Sequence, residues 1–281
     1  METRTLDSSP SLLPLYARAV AGSVLPRGDT PPDRELVLSD VAIDRDHLAE
    51  YDAVCGFRVA DELPPTYPHV LAFPLSMALM TDRSFPFPLL GLVHIANRIT
   101  QRRPLRATER LTLRVRAQDL RPHPRGRQLD LVASAEVDGE SLWTDVSTYL
   151  HRGGGSGESK RTEPGVSSDE AAATWDVPGD IGRRYASVSG DRNPIHMHPL
   201  PAKLFGFPGA IAHGMWMKAR CLAALEGRLD GAIEADVDFR APLRIPGKAR
   251  FGARRTNGSF DFALYSSDGE RTHLTGSVRA S

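Results

Sequence analysis

Residues 185–217, YASVSGDRNPIHMHPLPAKLFGFPGAIAHGMWM, decide how the rest of the chain is read. A carboxylate, Asp191, stands five positions before an imidazole, His196, and the Asn193-Pro194 pair between them reads as a turn. Downstream, Ala212-His213-Gly214-Met215 opens a helical pattern. Two groups able to exchange protons are thereby set beside backbone N–H groups able to hold a developing oxyanion. In isolation an Asp-x-Asn-Pro run is ordinarily a turn closed by an Asx hydrogen bond, so the weight falls on what surrounds it.

Those surroundings carry a resemblance. Gly190-Asp191-x-Asn193-Pro194-x-His196, followed with intact spacing by Ala202, Gly206-Phe207 and Ile211-Ala212-His213-Gly214-Met215, resembles the hydratase motif of MaoC-like, R-specific (type 2) enoyl-CoA hydratases. The resemblance implies the hot-dog fold, a curved antiparallel sheet wrapped around one long helix, and reversible hydration of trans-2-enoyl thioesters to the R isomer of the 3-hydroxyacyl product. The whole chain is similar to the two-domain, actinobacterial-type members of that family, with the motif in the second half alone. One active site per chain is therefore expected.

Composition narrows the alternatives. A length of 281 residues fits one large or two ordinary domains, and 41% hydrophobic with 25% charged residues is ordinary for a globular protein with a sizeable core. Thirty-five basic residues balance 35 acidic ones, so nothing global points to nucleic acid or to an anionic membrane surface. Cys55 and Cys221 are too few and too distant for a disulfide framework or a metal cluster, and they read as free thiols in a reducing cytoplasm. Residues 12–25 are apolar but broken by Pro14, Arg18 and Gly22, which makes a short surface helix rather than a membrane span.

Taken in order, residues 1–33 are expected to form that helix and a linker, and 34–152 a first domain. Leu36-Val37-Leu38 suggests a strand; 44–54 has helical spacing with Gly56 as C-cap; 70–80 suits a helix that Pro74 kinks or starts. Strand-like runs follow at 93–100, 110–120, 128–137 and 142–150. Residues 153–170 open with GGGSGESKRTEPG, a flexible linker with little to bury, and 171–281 form the second domain. There a helix is expected over 211–228 and strands at 233–240, 248–255, 260–265 and 272–279, with Asn257-Gly258 and Asp268-Gly269 as hairpin turns. Helix before strands, twice, predicts α+β, which the family resemblance refines to a double hot-dog.

The halves also share local order. Tyr51-Asp52-Ala53-Val54-Cys55-Gly56 matches Tyr185-Ala186-Ser187-Val188-Ser189-Gly190, and Arg103-Pro104-Leu105 matches Ala241-Pro242-Leu243, at nearly equal offsets. The first half has no DxNPxH, and where the second reads Ala212-His213-Gly214 it reads Ala72-Phe73-Pro74, in which a proline lacks the N–H that Gly214 offers. The first half is thus read as a degenerate, non-catalytic copy that widens the pocket and holds the acyl tail.

Hydrating an α,β-unsaturated thioester requires a positioned water, a group to take its proton, a proton for the α carbon and stabilisation of the enolate oxygen. By resemblance, Asp191, Asn193, His196 and Gly214 carry these roles: Asp191 and His196 share the water, Asn193 fixes it, and the Gly214 N–H receives the thioester oxygen. The residues leave open which of Asp191 and His196 is the base. Ser189 and His213 are placed against the substrate, His213 as an orienting rather than an ionising group. His198 stands where relatives commonly carry Asp or Asn, while His94 and Asp61-Glu62 read as structural. No metal site or cofactor is suggested, because the histidines lack ligand-like clustering.

Between Arg98 and Arg116 there are seven arginines against one acid, Glu109. Those on 110–116 alternate like a solvated strand face. Arg102, Arg103 and Arg106, and Arg240, Arg244 and Lys248 in the other half, are candidate clamps for the phosphates of the carrier. The partner is then an acyl-CoA, or an acyl-carrier-protein thioester as in a dehydratase of fatty-acid or polyketide synthesis; a homodimer of whole chains is compatible with either. The non-enzymatic alternative is a hot-dog subunit that supports a partner.

Overall fold

Two helices, Tyr67–Met80 and Gly214–Ala223, bury most of their side chains, as helices packed against a sheet do. The computed structural model describes residues 1–22, 27–89, 91–153, 164–204, 206–228 and 231–280. In chain order these form β1 (Glu2–Leu6), α1 (Leu12–Ala21), β2 (Arg34–Val41), α2 (Arg45–Cys55), α3 (Tyr67–Met80), β3 (Leu92–Gln101), β4 (Leu111–His123), β5 (Gly126–Val137) and β6 (Glu140–Arg152). Then come β7 (Ala173–Val177), α4 (Ile181–Ser189), α5 (Pro194–Met197), α6 (Pro199–Leu204), α7 (Gly214–Ala223), β8 (Ile233–Phe239), β9 (Gly247–Thr256), β10 (Ser259–Ser266) and β11 (Thr272–Ala280).

Two compact units interleave along the chain. One comprises Met1–Ile43, Pro68–Asn97 and Thr108–Arg161; the other comprises Asp44–Tyr67, Arg98–Ala107 and Thr162–Ser281. The first unit has the sheet order β1-β2-β4-β5-β6-β3, with β1 parallel to β2 and β2-β4, β4-β5 and β5-β6 antiparallel. On β4, Leu111, Leu113 and Val115 are buried while Thr112, Arg114 and Arg116 face outward, the period of two that a strand imposes. Phe73, Met77 and Met80 of α3 meet Leu129 and Leu131 of β5, Phe85 and Phe87 in one apolar cluster. Pro74 lies inside α3 rather than at its start.

The second unit has the order β8-β11-β10-β9-β7 with antiparallel neighbours throughout. The β9–β10 hairpin turns at Asn257-Gly258, both at positive φ, as a two-residue turn of primed type needs. Within this unit α7 is shorter than the expected 211–228. The N–H of Ile211 donates to Ile195 O and that of Ala212 to Leu243 O, so both donors are spent on neighbouring chain and His213 stays extended as the N-cap. Helix therefore begins at Gly214, and Gly227 lies beyond its end. Strands β1 and β7 and helices α5 and α6 carry too little periodicity for a sequence reading, and α4, though amphipathic, spans only Ile181–Ser189. Of the expected linker at 153–170, residues 154–163 lie outside the described residues, whereas Val166 is fully buried and its carbonyl accepts from the Tyr265 hydroxyl. Ser168–Glu170 there form a 3-10 turn with a capping box.

Candidate active site

The candidate motif is built by helix ends. Helix α4 stops at Ser189 because Gly190 takes the left-handed conformation, φ 74°, and its N–H closes on Ala186 O. The chain then leaves the helix through Asp191, whose N–H donates to Ser189 Oγ at 3.2 Å. Asp191 Oδ1 accepts from Asn193 N–H at 3.1 Å, and Asn193 Oδ1 accepts from Ile195 N–H at 3.4 Å, capping α5, in which Pro194 supplies the first position. Turn chemistry and site chemistry thus coincide: the Asx turn aims Asp191, and the cap starts the single helical turn that carries His196. That turn lies directly on α4. A Cβ at Gly182 would sit 1.9 Å from His196 O, so glycine is what lets the two segments touch.

His196 Nδ1 lies 2.8 Å from Ile211 O. A carbonyl only accepts, so Nδ1 carries the proton and a neutral His196 presents its Nε2 lone pair. Burial lowers the His196 pKa, against the opposing pull of Asp191 and the bond to Ile211 O, so the neutral form prevails at pH 7. His213, 2% exposed, packs face to face on His196 with ring centroids 3.7 Å apart, and the Tyr185 ring lies tilted against it at 4.9 Å. Its Nε2–H donates to Asp191 O at 3.0 Å, and Nδ1 is buried without a hydrogen-bond partner among the described residues. Burial first, and then the neighbouring His196, push the His213 pKa down to about 3, so it orients Asp191 as a neutral group.

Ligand atoms of Asp191, His196 and His213 all lie within 4.8 Å of one another, and this is the set that could take a cation. The two histidines are each committed to a backbone carbonyl through one ring nitrogen, which leaves His196 Nε2, His213 Nδ1 and an Asp191 oxygen for other contacts. Gly214 is the first residue of α7, where N–H groups have no partner within the helix. A Cβ there would meet the Phe239 ring at 3.1 Å. A carboxylate, a basic imidazole nitrogen and a helix N-terminus together suit proton transfer next to a developing oxyanion.

The remaining expected residues fall differently. Ser189 is buried, with its hydroxyl turned to the Asp191 N–H. Arg102 and Arg106 are exposed, and Arg103 donates to Pro104 O at 3.0 Å. Arg240 is engaged with Asp238 at 2.9 Å and with Thr275 Oγ1, Lys248 pairs with Asp176 at 3.0 Å, and exposed Arg244 bridges to Ile211 through its backbone. The strand arginines Arg110, Arg114 and Arg116 pair with Asp40, Glu35 and Glu136. Exposed His198 accepts from Leu200 N–H, Asp61 pairs with Arg45, Glu62 bridges to Arg106, and the His94 ring stacks on Tyr149 at 4.6 Å. Sequence reading missed Gly182, Tyr185, Lys218 and His47. Lys218 of α7 is fully buried, with Nζ on Ala235 O at 2.8 Å. No local pattern distinguishes these residues; the repeat of Tyr51 at Tyr185 was the one available signal.

A helix that starts beside the candidate site and packs against an antiparallel sheet is the hot-dog arrangement, and the duplication along the chain makes it a double one. A Mycobacterium tuberculosis protein described as having a double hot-dog fold shares it, with TM-score 0.55 and 12% identity over 90% of this chain and 96% of that one. Residues 162–263 match the family model described as MaoC like domain. The 3-hydroxyacyl-thioester dehydratase X of M. tuberculosis is 41% identical over 279 residues, 97% of this chain and 99% of that protein. The crystal structure of HtdX from the same organism has a TM-score of 0.80 at 38% identity, covering 88% of this chain and all of that one. The chain belongs to the MaoC-like hydratase and dehydratase family. Among the described residues, no helix is long and apolar enough to cross a membrane.

Proposed function

We propose that the chain is a hydro-lyase that adds water reversibly to trans-2-enoyl thioesters, giving (R)-3-hydroxyacyl thioesters, at a single centre formed by Asp191, Asn193, His196 and Gly214. The observation that carries this reading is the tautomer of His196: Nδ1–H is held by Ile211 O, which leaves Nε2 basic, in a residue that has a ring nitrogen within 4.8 Å of ligand atoms of both Asp191 and His213. In the hydration direction a water held between Asp191 and His196 gives up a proton to this pair as its oxygen bonds to C3. The π electrons move to the thioester oxygen, where the N–H of Gly214, which has no partner within α7, and the positive end of that helix stabilise the enolate. The same proton then returns to C2, and one water has been added; dehydration is the reverse. Asn193 holds the motif's turn and His213 holds the Asp191 backbone.

The half spanning 34–152 is read as the degenerate copy, supported by its lack of DxNPxH and by Phe73-Pro74 in place of His213-Gly214. The carrier is read as CoA. One of the two basic clusters, Arg102, Arg103 and Arg106 or Arg240, Arg244 and Lys248, is read as the phosphate clamp; in the second, Arg240 faces Asp238 and Lys248 faces Asp176. The buried free thiols of Cys55 and Cys221 support a reducing, cytoplasmic setting.

Loss of the enone absorbance of crotonyl-CoA and of longer enoyl-CoA thioesters tests the reaction, with chiral analysis of the product. The expected result is turnover to the R isomer. Neutralising the clamping cluster, Arg102, Arg103 and Arg106 or Arg240, Arg244 and Lys248, should raise KM for enoyl-CoA more than for the matching pantetheine thioester, and added salt should do the same. An S product, or no turnover of either substrate, rejects the reading; equal KM effects on both substrates from both clusters reject the phosphate clamp alone.

A further inference from the structure

The carbonyls in the last turn of a helix have no partner within it. In α4 the Val188 carbonyl is one of these, and it is met by His47 Nε2 at 2.8 Å, from a helix 141 residues away in sequence. Since a carbonyl only accepts, Nε2 carries the proton, Nδ1 is an acceptor, and the Tyr67 hydroxyl 2.8 Å away donates to it. Tyr67 is fully buried, and burial raises its pKa, so it remains a donor at any working pH. Both ring nitrogens are thereby committed and the tautomer is set from both sides. His47, Tyr67 and Val188 belong to the same compact unit as the catalytic motif.

Val188 stands at the point from which the catalytic loop leaves its helix. Ser189, whose hydroxyl holds the Asp191 N–H, is the next residue, and Gly190 at φ 74° makes the turn that delivers Asp191. The wall behind is aromatic: Tyr51 donates to Thr66 Oγ1 at 2.8 Å and lies 6.3 Å from Tyr185, which in turn lies tilted against His213. We propose that His47 is a positioning residue for Asp191, acting through the Val188 carbonyl with Tyr67 fixing its tautomer. It touches no reacting atom. Its effect is to hold the end of α4 so that the Asp191 carboxylate keeps its place beside His196 Nε2, and misplacing a catalytic group by about 1 Å costs on the order of 100-fold in rate.

This inference rests on the proposed hydro-lyase reading, and the test separates the two. His47→Gln keeps an amide N–H at nearly the position of Nε2, whereas His47→Leu fills the space without a donor. With enoyl-CoA as substrate, H47L should lower kcat about 10- to 100-fold with KM within about twofold, and H47Q should stay within about threefold of the parent. Independently of any activity, hydrogen exchange of the amides at 190, 191 and 193 should be about tenfold faster in H47L and near normal in H47Q. If the parent turns over and H47L matches it in kcat, or if H47L leaves exchange at those amides unchanged, His47 has no positioning role. Equal losses in H47L and H47Q overturn it too, because they would reflect removal of an imidazole rather than of the bond. Absence of turnover in the parent would count against the hydro-lyase reading, with the exchange result still deciding the role of His47.

Discussion

Ala212-His213-Gly214 and Ala72-Phe73-Pro74 occupy corresponding places in the two halves, yet the backbone treats them oppositely. At 212–214 the chain is extended up to His213, the helix begins at Gly214, and the first N–H groups of α7 have no partner within the helix. At 72–74 the helix began at Tyr67; Phe73 is buried in the apolar cluster of the first unit, and Pro74 sits mid-helix with no N–H to offer. The same sequence position is a donor edge in one unit and core in the other. Twenty-two residues separate Gly190 from His213 against 16 between Gly56 and Phe73, and the longer segment holds α5 and α6. What differs is therefore where the helix starts, and a helix start is what an oxyanion needs.

The strongest way to break this contrast is to disable the motif that only one half has. Asp191→Asn and His196→Gln should each lower kcat for crotonyl-CoA hydration by about 100- to 10,000-fold, with KM largely kept, as measured on folded protein at the enone absorbance. In the parent, kcat/KM should persist below pH 6.5 before it falls, because burial lowers the His196 pKa and the base stays unprotonated further into acid. Near-parental kcat in either variant would place the chemistry elsewhere.

A smaller effect is expected from making the second half read like the first. Proline is well tolerated at the first position of a helix, so Gly214→Pro removes chiefly the N–H. It should cost about 100- to 1,000-fold in kcat, the usual size for an oxyanion donor. Gly214→Ala keeps the donor and adds a contact of 3.1 Å to Phe239, so its loss should be about an order of magnitude less. If alanine and proline were equally poor, steric pressure from Phe239 rather than the N–H would explain the glycine.

The third contrast lies in helices α2 and α4, where Asp52 takes the place in the repeat that Ala186 takes in the other half. Asp52 is fully buried, neither carboxylate oxygen has a hydrogen-bond partner among the described residues, and burial, then Glu226, raise its pKa to about 7. Unfolded, the same carboxyl titrates near 3.8. Between these values the native state binds more protons, so stability falls as pH rises from about 4 and the loss is complete above 7. Between pH 5 and 8 this amounts to about 2–3 kcal/mol. The buried histidines act at the other end: the lowered pKa of His213 gives stability that is present above 6.5 and is lost as pH falls toward 3. Asp52→Ala should flatten the alkaline side of the denaturation profile and leave the acid side alone; a profile unchanged on the alkaline side would mean Asp52 is not the group that titrates.

Where sequence and structure part company is instructive at particular residues. Strands β3 to β6 and β8 to β11 were legible because alternating burial, as at Leu111, Leu113 and Val115, leaves a period of two in the chain. The Asx turn and cap of Asp191-x-Asn193-Pro194 were legible because that chemistry is local. The start of α7 was misplaced by three residues, since nothing near Ile211 and Ala212 reveals that their N–H groups are taken by Ile195 and Leu243. The basic residues were legible as a cluster but mostly not in their pairing, because Asp176, Glu35 and Glu136 reach them through strand register.

By itself, then, the amino-acid sequence determined the duplicated α+β plan, the motif residues Asp191, Asn193 and His196 with their local turn, and the reaction class they resemble. These rest on periodicity and on hydrogen bonds spanning a few residues, both of which are written in consecutive positions. Only the tertiary structure decided the state of the site. It set which nitrogen of His196 carries the proton, the neutrality of the stacked His213, the start of α7 at Gly214, and the hold of His47 on Val188. Each of those depends on a carbonyl, a ring or an apolar wall brought close by folding, and burial and electrostatic neighbourhood are properties of that proximity rather than of the residue itself.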